Sequence, residues 1–325
     1  MNIKPITGTW FEFTHHSTAE GVYWNSTVRA FSHEQWRQKV REIAAAGMKY
    51  IVLMATALVD SQRQEAYFPT DIYPFARDFA CADPIEALLS EADAQNIHVF
   101  LSTGFYGIWE QPMVNMTSPE VTRRGFRAME QLWALYGHHR SFYGWYFPDE
   151  TCIEGSFHPD FMDYCNRYSA FARSLDSRFK MLIAPYGTNM LCADDHYVRQ
   201  LDALDVDIIA YQDEVGVQKS TTEQTGAYYA ALRRAHDRSG RSALWADMEL
   251  FEFEGSVYRS ALIPADFTRV QRQLEAISEH VDEILCYQYL GLMNQPGTTA
   301  FCGHPDSTRL FCDYQQNLQN ILERR

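Results

Sequence analysis

The chain has 325 residues, enough for one large domain or two small ones, and 46% of them are hydrophobic, as in a globular protein with a sizeable core. Its formal net charge of −14, with no cluster of basic residues, argues against nucleic acid and anionic membranes as partners. No apolar run in the sequence is long enough to cross a membrane.

Cysteine usage and the amino terminus bear on where the protein works. The seven cysteines are an odd number without a Cys-x-x-Cys pair, which disfavours a disulfide framework or a tetrahedral zinc site and favours a reducing compartment. Residues 1–5 begin no apolar segment of the kind found in secretory signals. We therefore predict a cytoplasmic protein, and a chain that begins after a removed export signal is the alternative.

Predicted strands and helices alternate along the whole chain. Short apolar runs predict eight strands, at residues 6–13, 48–55, 97–103, 143–147, 180–185, 206–212, 243–249 and 283–289. Helical periodicity follows each strand and predicts, in the second half, helices at residues 159–175, 194–204, 222–236, 264–280 and 306–322. Residues 56–82, rich in Tyr, Phe and Pro, are predicted to form a long loop.

Capping signals mark the first three helix starts. Ser32 is followed by Gln35 at the spacing of a capping box, and Gly47 is placed to end that helix. Asp83-Pro84 and Ser118-Pro119 each combine an N-cap residue with a proline in the first helical position.

Alternating strands and helices indicate βαβ units and a parallel sheet. Eight such units predict a single (β/α)8 TIM barrel over residues 1–325, with no interdomain linker. A doubly wound open sheet is the competing fold. It usually carries a glycine-rich phosphate loop after its first strand, whereas this strand ends in Phe-Thr-His-His-Ser.

In a barrel, the carboxyl ends of all eight strands converge on one cleft. The candidate cleft residues are aromatic, amide, histidine and carboxylate side chains: Trp10, Glu12, His15, His16, Tyr106, Trp109, Asp149, Glu150, Tyr186, Asn189, Gln212, Asp213, Glu214, Asp247, Glu249, Tyr287 and Gln288. Aromatic faces beside hydrogen-bonding groups suit a sugar, whose C–H faces stack and whose hydroxyls need partners. No lysine or arginine stands at the strand ends, which disfavours phosphorylated or strongly acidic substrates.

A pair of glutamates at the ends of strands four and seven carries the predicted chemistry. Pro148 should stop strand four, so that Asp149 and Glu150 follow its carboxyl end. On strand seven, Glu249 lies nearest the carboxyl end, and Asp247 is a deeper fallback. Glycoside hydrolysis needs one carboxyl group to protonate the leaving oxygen and a second to attack the anomeric carbon or activate water.

Strand periodicity predicts which way the side chains of strand seven point. Asp247 and Glu249 should share the inner face with Trp245, and Met248 and Leu250 should point outward to the helices.

Two other functional classes compete with hydrolysis. A metal-dependent sugar isomerase or epimerase would use Glu12, a histidine, Asp247 and Glu249 as ligands. Adjacent histidines on a strand point to opposite sides, so only one of His15 and His16 should face the site. The preferred interpretation therefore includes no metal and no cofactor. A carbohydrate-binding barrel without catalysis is the third class.

Four motifs resemble a TIM-barrel family catalogued as domain of unknown function 4434, whose members are regarded as glycoside hydrolases. They are Thr-Gly-Thr-Trp at residues 7–10, Gly-Trp-Tyr-Phe-Pro-Asp-Glu at 144–150, Tyr-Gln-Asp-Glu-Val-Gly at 211–216 and Leu-Trp-Ala-Asp-Met-Glu-Leu-Phe at 244–251. The resemblance covers nearly the whole chain and implies a carbohydrate-directed site.

The chain also resembles glycoside hydrolase clan A, which implies that Glu150 is the acid/base and Glu249 the nucleophile. Clan A has an asparagine before the acid/base, whereas Asp149 stands here, so the retaining course stays open. We predict hydrolysis of an oligo- or polysaccharide, with Trp10, Tyr106, Trp109, Tyr186 and Tyr287 as platforms and Gln212, Asp213 and Gln288 as hydroxyl partners.

Overall fold

In the computed structural model, which describes residues 3–323, eight parallel strands close into a barrel. The strands are β1 (Gly8–Phe11), β2 (Tyr50–Leu53), β3 (His98–Ser102), β4 (Phe142–Tyr146), β5 (Lys180–Ile183), β6 (Ile208–Gln212), β7 (Ala243–Glu249) and β8 (Glu283–Tyr287). Each pairs with its neighbours in chain order, and β8 pairs back onto β1. The predicted single (β/α)8 barrel is therefore confirmed.

Helices cover the outside of the barrel. Within residues 3–323 they are Asn25–Arg29, His33–Ala45, Pro84–Gln95, Pro112–Thr117, Pro119–Tyr136, Pro159–Leu175, Asp195–Ala203, Thr222–Ser239, Phe267–Ile277 and Ser307–Glu323. The predicted capping box is confirmed, because the Gln35 backbone N–H donates to Ser32 Oγ over 3.2 Å and the Ser32 N–H donates to Gln35 Oε1 over 2.9 Å. Asp83 and Ser118 also cap their helices as predicted. No helix in the described part of the chain is both long and apolar enough to span a membrane.

Two short hairpins decorate the carboxyl-terminal face of the barrel. Ala57–Val59 pairs with Gln64–Ala66, so the prediction of a plain loop over residues 56–82 is wrong. Phe251–Phe253 pairs with Leu262–Pro264, and the next helix therefore begins at Phe267 instead of residue 264. Both hairpins follow barrel strands directly, so they extend the wall around the strand ends.

The barrel interior and the helix layer form separate hydrophobic clusters. Trp10, Phe100, Tyr146 and Trp245 belong to the cluster inside the barrel. Met248 and Leu250 belong to the outer cluster against the helices, as the alternation along strand seven predicts. Filling the barrel with large aromatic side chains closes its centre, which leaves room for a ligand only at the strand ends.

Candidate active site

A cavity of about 400 Å³ opens at the carboxyl ends of the strands. Nine of the predicted residues line it: Trp10, His16, Trp109, Glu150, Tyr186, Gln212, Asp247, Glu249 and Tyr287. Glu150 from β4 and Glu249 from β7 thus share one cavity with aromatic side chains and an amide. This volume and lining fall in the range of small-molecule binding sites.

Eight predicted residues do not line the cavity: Glu12, His15, Tyr106, Asp149, Asn189, Asp213, Glu214 and Gln288. Most of them are buried behind its wall and bind other protein groups. Asp149 turns away from its neighbour Glu150 and accepts a 2.8 Å hydrogen bond from Asn115 Nδ2. Burial raises the pKa of Asp149 to about 7. Tyr106 contacts Thr56 Oγ1 at 3.0 Å.

Hydrogen bonds hold both oxygens of the Glu150 carboxyl group. Tyr146 Oη donates to Oε1 over 2.6 Å, and Gln212 Nε2 donates to Oε2 over 2.8 Å. Burial raises the pKa of Glu150 to about 7, although both hydrogen bonds act to lower it. Glu150 lies only four positions after Tyr146 in the chain, so this hydrogen bond ties the carboxyl group to the end of its own strand. Glu150 is thus fixed in position and can hold a proton near neutral pH.

Glu249 ends β7, opposite Tyr287 of β8 in the strand register. Its Oε2 accepts a 2.9 Å hydrogen bond from the Val217 backbone N–H, which lies in the loop after β6. Asp213 lies behind it and accepts from the Glu249 N–H over 3.2 Å and from Gln273 Nε2 over 2.6 Å. Burial, reinforced by the charge of Asp213, raises the pKa of Glu249. Asp213 has more donors, so we place the charge of this pair preferentially on Asp213.

Asp247 is a third carboxyl group in the cavity, only 4% exposed. In the sheet, Asp247 pairs with Gln212 of β6 on one side and with Leu285 of β8 on the other. Its Oδ1 has no hydrogen-bond partner within residues 3–323. Burial raises the pKa of Asp247 well above the ordinary value, and Glu249, Glu150 and Asp213 raise it further. Asp247 is therefore neutral at pH values where ordinary aspartates are charged.

Replacing Asp247 by asparagine should stabilise the protein increasingly as pH rises. A carboxyl group whose pKa is raised by folding stabilises the folded protein less and less as the pH rises from its unfolded-state pKa of about 3.8 towards its folded-state pKa. An amide does not titrate, so it has no such effect. We expect Asp247→Asn to gain about 1–3 kcal/mol in free energy of unfolding, relative to wild type, between pH 5 and pH 8. Urea unfolding at both pH values measures this difference.

Asp266→Asn is the matched control for that measurement. Hydrogen bonds from Thr268 lower the pKa of Asp266, so its contribution to stability is complete above pH 4 and should not change between pH 5 and pH 8. Equal trends for the two variants would contradict a neutral Asp247.

The cavity wall also contains residues that the sequence did not predict: Glu20, Met54, Val217, Lys219, Phe251, Tyr258 and Leu262. Lys219 supplies a cation where none was expected, with Nζ 4.9 Å from the centre of the Tyr186 ring and 3.4 Å from Glu214 Oε1. Tyr258 comes from the hairpin after β7. These side chains lie on loops and on the hairpin after β7, beyond the barrel-strand ends that periodicity can locate.

Glu12, His15 and His16 form a cluster beside the cavity, with one ligand atom from each lying within 4.8 Å of the others. The prediction that the two imidazoles point to opposite sides is wrong: β1 ends at Phe11, and the rings stack with centroids 4.5 Å apart. Asp247 and Glu249, which the isomerase alternative requires, are not members of this cluster.

Comparison with known proteins gives the family of the chain and supports the barrel fold. Residues 6–300 match the model of a domain of unknown function, DUF4434. No curated protein matches the chain. A candidate α-L-fucosidase from Bacteroides thetaiotaomicron superposes with a TM-score of 0.77 at 14% identity, over 98% of this chain and 94% of that one.

Two endo-1,4-β-mannanases give similar superpositions. The enzyme from Thermotoga petrophila has a TM-score of 0.63 at 9% identity, over 98% of this chain and 100% of its own. The enzyme from Rhizomucor miehei has a TM-score of 0.58 at 12% identity, over 97% and 95%. At such identities the likeness shows the barrel fold, and these structural neighbours are glycoside hydrolases.

Proposed function

We propose that this chain, which belongs to the DUF4434 family, hydrolyses a glycosidic bond with Glu150 and Glu249 as its catalytic pair. The observation that carries this proposal is the placement of both carboxyl groups in one aromatic-lined cavity at the strand ends, with Glu150 held by Tyr146 and Gln212. Two carboxyl groups flanking one bound sugar are what most glycosidases use.

Glu150 is the general acid in this mechanism. Its pKa of about 7 keeps a substantial fraction protonated at neutral pH, so it can transfer a proton to the leaving glycosidic oxygen. Glu249 must be ionised to act as nucleophile or as the base for a water molecule. The distance between the two carboxyl groups in the substrate complex selects between these roles, about 5–5.5 Å for attack and about 6.5–9.5 Å for a bound water.

Aromatic side chains around the pair would bind the sugar. Trp10, Trp109, Tyr186 and Tyr287 line the cavity and offer faces or edges to C–H groups. Of the hydroxyl partners, Gln212 lies in the cavity and also holds Glu150. Asp213 and Gln288 would act from behind the wall, through Glu249 and Glu12 respectively. The proposed substrate is therefore an oligo- or polysaccharide held by stacking and hydrogen bonds.

Removing the Tyr146 hydroxyl should move the alkaline limit of activity to higher pH. Tyr146 donates to Glu150 Oε1 and so favours the ionised form, which cannot protonate the leaving group. In Tyr146→Phe we expect the alkaline pKa of the kcat/KM profile to rise by about one unit. Tyr314→Phe is the control, because Tyr314 is a buried tyrosine that contacts the Ile6 backbone outside the cavity. If the alkaline pKa of the kcat/KM profile rises equally in both variants, Tyr146 does not have this role.

The proposed activity can be tested without knowing the sugar. Purified protein is incubated with a panel of nitrophenyl glycosides and of mannan, xylan, glucan and galactan oligosaccharides, and released products are followed by absorbance and chromatography. Hydrolysis of an oligosaccharide by the wild type that disappears in Glu150→Gln supports the proposal. Saturable glycan binding without hydrolysis, unchanged in Glu150→Gln and Glu249→Gln, would instead favour a binding barrel.

A further inference from the structure

Three buried polar atoms without partners among the described residues lie in the segment that follows β1: Glu12 Oε2, Thr14 Oγ1 and His16 Nδ1. The Glu12 side chain is almost fully buried, and its Oε1 accepts hydrogen bonds from Trp24 Nε1 over 3.0 Å and from Gln288 Nε2 over 2.7 Å. Its Oε2 has no partner within residues 3–323, and neither has Nδ1 of His16. Buried polar groups are rarely left unpaired, so these atoms call for a ligand, a water or a proton.

The surroundings of Glu12 are those of a metal ligand. His15 and His16 each place a ring nitrogen close to the carboxyl group, with all three ligand atoms within 4.8 Å. His15 Nδ1 lies 3.1 Å from the Ser17 carbonyl oxygen and 3.0 Å from the Ser17 backbone nitrogen, and its Nε2 lies 3.1 Å from Tyr287 Oη. The contacts with Ser17 orient the ring, as outer contacts do for a ligating imidazole, and His15 can bind an ion through Nε2 once Tyr287 gives up its contact.

A second cluster of similar composition does not offer free buried ligand atoms. Glu86, His138 and His139 also lie within ligand distance of one another. His139 already uses both ring nitrogens, with Nδ1 2.8 Å from Asp93 Oδ2 and Nε2 3.0 Å from Glu86 Oε2. Of these two clusters, only the one at Glu12 has buried ligand atoms that are free.

We propose that Glu12, His15 and His16 bind a divalent ion of the zinc type at the edge of the cavity. Two imidazoles and one carboxylate favour such an ion over calcium or magnesium, which prefer oxygen ligands. Bonds of about 2.0–2.2 Å require the three ligand atoms to move closer together and one stacked ring to rotate. His16 is partly exposed on the cavity wall, which gives its ring room to do so.

Zinc titration of the full chain tests this site. Protein is stripped with a chelator, dialysed and titrated with zinc chloride in a calorimeter, for the wild type, Glu12→Gln, His16→Ala and His138→Ala. We expect one ion per wild-type chain and at least about tenfold weaker binding in Glu12→Gln and His16→Ala. His138→Ala should bind as the wild type does, because it alters only the second cluster, in which His139 already uses both ring nitrogens.

Each other outcome would overturn the proposal. If saturable binding is missing, or is equally tight in Glu12→Gln and His16→Ala, the free atoms at Glu12 are satisfied by water or a proton. If Glu12→Gln does not fold, His16→Ala decides, since its side chain is partly exposed. Glu150→Gln should bind zinc normally, so loss of hydrolysis and loss of metal binding are separate results.

Discussion

Glu150→Gln should lower the rate of hydrolysis of a natural glycoside by about 10²–10⁴-fold, the usual contribution of a general acid. The amide keeps the shape of the side chain and can still accept from Tyr146 or Gln212, so the cavity should keep its form. What it lacks is the proton for the leaving oxygen. An aryl glycoside with an acidic leaving group needs little protonation, and its cleavage should therefore fall much less. Measuring kcat/KM for both substrate types in both proteins gives this comparison.

Glu154→Gln is the matched control for the first experiment. Glu154 is an exposed glutamate four residues further along the same loop. Its substitution should leave both rates within about twofold of the wild type. An equal loss on the two substrate types in Glu150→Gln would show that Glu150 supports binding or structure and is not the acid.

Local signals in the sequence predicted the barrel and the position of the proposed catalytic pair. Pro148 follows the end of β4 at Tyr146, and period two along β7 separates Glu249 from Met248, so both glutamates could be placed at strand ends. The capping box at Ser32 depends on two residues three positions apart, so it could also be recognised from the sequence. Such features require no knowledge of which distant segments meet.

Other parts of the site depend on contacts between distant loops. Residues Glu214 and Gln218 have φ values of 55° and 60°, and the loop between them turns back so that Lys219 lies over Tyr186. No periodicity in the sequence indicates that turn. The strand pattern also failed at His15 and His16, because β1 ends at Phe11 and the alternation ends with it. Asp149 is adjacent to Glu150 yet contacts Asn115, a choice made by tertiary packing.

Glu249→Gly should abolish most hydrolysis, by about 10⁴-fold or more, the scale seen when an enzyme loses its nucleophile. Glu249 is the carboxyl group at the end of β7 and lines the cavity with Glu150. The glycine variant leaves space beside the Val217 N–H that the Glu249 carboxyl group now contacts. Azide can enter that space and attack the anomeric carbon, so it should restore cleavage of an activated aryl glycoside and give a glycosyl azide.

The same rescue experiment distinguishes Glu249 from Asp247. Asp247 is two residues earlier on the same face of β7 and therefore lies deeper in the barrel, a position that suits a hydrogen-bonding group better than a nucleophile. Azide should therefore rescue Glu249→Gly and fail to rescue Asp247→Gly. The reverse pattern would assign the second catalytic carboxylate to Asp247. For the wild type, the anomeric configuration of the first product, read by NMR, then tells whether Glu249 attacks the sugar or activates water.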